Sequence, residues 1–80
     1  PVLNAKIRTH LRESIIADTL SEADETWPSV SIGSYPRFDS EPASVIVTLD
    51  SRDKEALQAC GHWLERALTG LSHQAPESPE

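Results

Sequence analysis

Methionine is absent from these 80 residues, cysteine occurs once, and aromatic side chains supply only 5% of the chain. A single cysteine, Cys60, excludes an internal disulfide, and a reduced, cytoplasmic setting is the expectation. Long apolar runs are missing too. Nothing approaches the ~20 residues that a membrane-spanning helix needs, and there is no secretory h-region. Basic residues are scarce: seven Lys and Arg stand against thirteen Asp and Glu, for a net charge of −6. That balance repels a phosphate backbone and an anionic lipid surface, so it disfavours nucleic-acid and membrane partners. A chain that opens at Pro1 and has no methionine is expected to be a piece of something longer, with chemistry in the missing part.

What remains is one small domain. A chain of this size buries only about 60% of the surface its unfolded form exposes, so its core is thin. Val2 to Arg12 alternates in polarity. Leu3, Ala5, Ile7, Thr9 and Leu11 share one face; Asn4, Lys6, Arg8, His10 and Arg12 share the other. Period two predicts a half-buried strand with a basic outer face. Ser14 is the expected N-cap of the next helix. Its stripe is Ile16, Leu20, Ala23 and Trp27, and Pro28 ends it.

Val30 to Phe38 reads as a second strand. Gly33 within it predicts a bulge or a close backbone approach, and Pro36 predicts an edge position or a strand leaving the sheet. Residues 39–42 form a polar connection. Val45, Val47 and Leu49 then alternate with Ser44, Ile46 and Thr48 in a third strand, expected to pair antiparallel with the second. Asp50 or Ser51 is the expected cap of the last helix, with Asp53 and Glu55 at the positive end of its dipole. Its stripe runs through Leu57, Cys60, Leu64, Ala67, Leu68 and Leu71, flanked by Ala56 and Trp63, and Gly70 is placed to end it. Residues 72–80, with two prolines and two glutamates, read as a disordered tail after a 1–71 domain.

The predicted class is α+β, a βαββα order with a three-stranded sheet and both helices on one face, within reach of KH-like and ferredoxin-like folds. Ile7, Leu20, Val47 and Leu64 should then share one interior. A nucleic-acid-binding KH module clamps the backbone with a G-x-x-G loop, and Gly33, Gly61 and Gly70 do not have that spacing.

Catalytic chemistry finds little to work with. His10, His62, His73 and Cys60 form no metal-ligand spacing. Cys60 lies on the helix stripe, where a cysteine acts as a small hydrophobe, and no base is placed to activate it. Asp24, Glu25, Asp50 and Asp53 read as solvated or capping charges. Trp27 and Trp63 read as covers over the edge of a small core, although either could stack a base or a flavin. No catalytic residue and no metal site is expected. The residues left for function are Gly33, Tyr35, Pro36 and Arg37, together with the basic strand face of Lys6, Arg8 and Arg12. Either set could face a neighbouring domain or an anionic ligand.

The stretch Ile32-Gly33-Ser34-Tyr35-Pro36, then Val45-Ile46-Val47-Thr48-Leu49-Asp50-Ser51, then Lys54-Glu55-Ala56-Leu57, resembles the end of the molybdopterin-binding-like domain. That domain occurs in eukaryotic-type FAD synthases and in the competence/damage-inducible protein A family. Lys6-Ile7-Arg8-Thr9 and Glu13-Ser14 are similar to the KH-like module that follows the catalytic part in the latter family. The resemblance implies a parent acting on pyrophosphate-linked nucleotides such as FAD or ADP-ribose, with a divalent metal in the parent. The family's glycine-rich and acidic motifs have no match here, so no cofactor is implied for this chain itself. The expected function is a non-catalytic accessory module. Its expected partners are an upstream catalytic domain or further copies of the chain. The alternative is an independent KH-like module for nucleic acid or a small ligand, motivated by Lys6, Arg8 and Arg12.

Overall fold

A computed structural model of the chain describes residues 1–38 and 43–74. The expected order of elements is present: β1 (Leu3–Thr9), α1 (Glu13–Thr26), β2 (Ser31–Arg37), β3 (Ser44–Ser51) and α2 (Lys54–Gln74). The polar connection expected at 39–42 lies outside the described residues. The three strands form an antiparallel sheet in the order β1-β3-β2. The strand richest in β-branched residues thus sits in the centre, where both of its edges are paired. Helix α2 packs on β1 and β3, and α1 packs on β2.

The core lies between the helices and one sheet face. Ile16, Ala23, Val47, Leu49, Cys60 and Leu64 have no solvent exposure, and Ala5, Ile7, Leu20, Ile32 and the two tryptophans pack around them. Ile7, Leu20, Val47 and Leu64 therefore share an interior, as the two periodicities require. Even the inward residues Ala5, Ile7 and Thr9 of β1 are only half-buried, because it is an edge strand under a single helix.

Several local expectations need correction. Arg12 is not on the strand: β1 stops at Thr9, and Arg12 is the N-cap residue of α1, in extended conformation and without a side-chain cap. Ser14 falls inside the first turn instead of capping it. With only residues 10–12 between strand and helix, α1 must begin at Glu13 to carry Ile16 over the sheet. Gly33 makes no bulge. The register runs unbroken through Ile32↔Leu49, Gly33↔Thr48 and Ser34↔Val47, leaving close approach as its role.

Asp50 and Ser51 belong to β3, and the cap of α2 is Asp53, whose Oδ1 accepts from the Ala56 N–H at 3.1 Å. Ser51 is spent on the turn between them: its hydroxyl donates to the Ser29 carbonyl and accepts from the Asp53 N–H. Gly70 does not end α2. The helix continues to Gln74, because Leu71 still reaches the core and extends the same apolar stripe. Residues 72–74, read as part of a tail, are helical; 75–80 lie outside the described residues. Trp27 closes α1 as foreseen, with its carbonyl accepting from the Val30 N–H across a turn that has Pro28 at its second position.

Candidate functional site

Successive residues of a strand point to opposite sides of the sheet, so the register alone assembles the face that the helices leave open. Across that face run two rows. Lys6, Thr48 and Gly33 form one; Arg8, Ile46 and Tyr35 form the next. Arg37 follows on β2, opposite Ser44. Lys6, Arg8, Gly33, Tyr35 and Arg37, drawn from two separate parts of the sequence, thus come together on one surface. Pro36 does not join them. It alternates to the helix-bearing side, opposite Val45. Arg12 does not join them either, being at the start of α1. Ile46 and Thr48, the half-exposed floor between the two groups, were missed. Their alternation in β3 is visible in the sequence, but the central place of β3 is not.

Tyr35 is 58% exposed. Its position depends on Gly33, two residues earlier on the same face. A Cβ at Gly33 would lie 3.7 Å from Tyr35 Oη and 3.8 Å from Cε2, and 3.2 Å from Thr48 Oγ1. The phenol ring is therefore folded back along the strand over the glycine instead of standing away from the sheet. The missing side chain at Gly33 is the space the ring uses.

Charge is segregated between the open sheet face and α1. Among the described residues, Asp50 is the acidic group on the open face, at the end away from Tyr35 and flanked by Asn4 and Ser31. Lys6 and Arg8 are exposed, and no ion pair engages either of them among the described residues. Helix α1 by contrast carries Glu13, Asp18, Glu22, Asp24 and Glu25 and no Lys or Arg. A chain that is acidic as a whole so presents a basic, partly aromatic sheet face.

Several of the groups that could support catalysis have structural roles. Cys60 is fully buried, and its thiol is pushed up from its ordinary value by burial and, secondarily, by the charge of Asp24. It is a poor source of thiolate. Glu13 Oε2 accepts from Ser34 Oγ at 2.9 Å, tying the start of α1 to β2, and Asp53 is the α2 cap. His10 Nδ1 lies 3.2 Å from the Ala43 carbonyl, which bridges the end of β1 to the start of β3. Among the described residues no three His, Cys, Asp or Glu side chains converge as metal ligands. Trp27 and Trp63 pack together, ring centroids 5.7 Å apart and tilted by 58°, beside an open depression of about 950 Å³ that His62 and Arg66 also line. The pair closes the core between the end of α1 and the middle of α2, as read from the sequence.

No helix among the described residues is long and apolar enough to cross a membrane. Residues 1–76 match the family model described as "FAD synthase, middle domain". No curated protein and no solved structure matches the chain.

Proposed function

We propose, because the chain belongs to the FAD synthase middle-domain family, that it is the non-catalytic accessory module of an FAD synthase-type protein. It packs on a catalytic domain of that protein and leaves the chemistry to it. The match over residues 1–76 is the observation that carries this reading. The structural employment of Cys60, Glu13 and Asp53 supports it. Cys60 lies in the core, Glu13 ties α1 to β2 and Asp53 caps α2, so these three have structural roles. The finer kinship with molybdopterin-binding-like and KH-like modules belongs to the same proposal, as does a cytoplasmic setting. It rests on the β2, β3 and early α2 residues quoted for the resemblance.

The test is an assay of the 80-residue chain with FAD and with ADP-ribose, with and without a divalent metal. No turnover is expected. Metal-dependent hydrolysis of either substrate, retained through repurification, would overturn the proposal.

A further inference from the structure

We infer that the open face of the sheet is a docking surface for an acidic, partly apolar patch on another domain of the same polypeptide. This deepens the accessory reading and rests on it. Lys6 and Arg8 supply positive charge on β1 that no ion pair engages among the described residues, Ile46 supplies a partly exposed apolar centre on β3, and Tyr35, laid over Gly33, supplies a flat aromatic contact on β2. Buried Tyr and Arg side chains around an apolar centre are the usual energetic anchors of protein interfaces. Charge complementarity then fixes the sign of the partner: a surface facing Lys6 and Arg8 must bring carboxylates.

Area and charge together select a tethered domain over the other occupants. Seven-residue strands rising ~3.3 Å per residue, three of them ~4.8 Å apart, give a face of roughly 330 Å². A free-standing complex needs about 800 Å² from each partner. Contacts between domains of one chain begin near 600 Å² in total, or about 300 Å² a side, because the linker supplies a high effective concentration. A second copy could offer its acidic α1, but that contact is head-to-tail, so it builds a ring or a filament and not a two-fold pair, and each contact still has only this small face. Single-stranded nucleic acid would meet the net charge of −6 and a single stacking ring.

The sequence contains two lysines, which provides an internal control: Lys6 is on the open face and Lys54 is in the first turn of α2. Carbodiimide couples a lysine amine directly to a carboxylate in contact with it. In the full-length FAD synthase-type polypeptide, Lys6 is expected to couple to an Asp or Glu of another domain, and Lys54 is not. The product should weaken in about 0.5 M salt, where screening is short-ranged. It should be lost in an Arg8→Glu, Tyr35→Ala double variant whose circular dichroism and thermal midpoint match the parent.

Two results overturn the inference. Lys6 couples to α1 carboxylates of a second copy, or it couples to nothing; in the second case, salt-sensitive NMR shifts with single-stranded RNA confined to Lys6, Arg8 and Tyr35 would name nucleic acid as the occupant. Each of these leaves the accessory reading standing if the 80 residues still turn over neither FAD nor ADP-ribose, so the two failures are distinguishable.

Discussion

One face of the sheet is built from Ala5, Ile7, Val45, Val47, Leu49 and Ile32, and the other from Lys6, Arg8, Ile46, Thr48, Gly33 and Tyr35. The two sets are alternate residues of the same three strands, so backbone pairing is common to both. What differs is what covers them. The first face sits under two helices, and its central strand has no exposed valine or leucine side chain. The second keeps Ile46 half-exposed and Tyr35 more than half-exposed. Stability is therefore concentrated on one side of a sheet about as thick as a single chain, and the other side is left free to be changed.

The contrast is sharpest for two aliphatic residues. Leu64 on α2 is fully buried against the covered face, and Leu64→Ala should cost ~2–5 kcal/mol, removing side-chain contacts and leaving a cavity in a thin core. Ile46→Ala on the open face should cost much less, because part of its side chain already meets solvent. Urea melts of both variants measure this. Equal losses would mean that the open face contributes to the fold as much as the core does.

Two buried serines at opposite ends of β3 make the next comparison. Ser51 Oγ joins the Ser29 carbonyl and the Asp53 N–H, so Ser51→Ala should cost about 1–3 kcal/mol by stranding both groups. Ser44 is equally buried, but its hydroxyl has no hydrogen-bond partner among the described residues. Ser44→Ala should be neutral or stabilising, since removing an unsatisfied hydroxyl relieves a desolvation cost. A loss of similar size in both variants would show that Ser44 has a partner beyond those residues.

Element order, both apolar stripes and the helix-facing sets of β1 and β3 were legible in the sequence, because each is a periodicity of one side chain against the next. The failures share a cause of another kind. Asp53 displaced Asp50 and Ser51 as the cap because β3 kept its pairing with β1 as far as Ser51, opposite Leu3. Arg12 left the basic strand face because the short connection had to deliver Ile16 to the core. Both outcomes are decided by a distant partner, which local patterns do not encode. The candidate surface was half legible for the same reason. Lys6 with Arg8, and Tyr35 with Arg37, were each visible as groups, but their meeting across Ile46 and Thr48 depends on the strand order.

The smallest effects are expected at the glycines, where the comparison becomes one between unused and used space. Gly61 and Gly70 lie inside α2, and a Cβ on either would meet nothing within 4 Å. Gly61→Ala and Gly70→Ala should each stabilise by roughly 0.5–1 kcal/mol, because alanine has less freedom to lose in a helix. Gly33→Ala gains a similar backbone term, yet its Cβ would press Thr48 Oγ1 at 3.2 Å and enter the space beneath the Tyr35 ring. Thr48 can give way only by rotating on a face that Tyr35 already crosses. Gly33→Ala should therefore show little or no net stabilisation and a changed Tyr35 environment, read as a shift in the fluorescence or NMR signals of that one tyrosine. If instead it stabilises as Gly70→Ala does and leaves Tyr35 undisturbed, the ring does not depend on the glycine, and the open face loses the feature that distinguishes it from an ordinary solvated sheet.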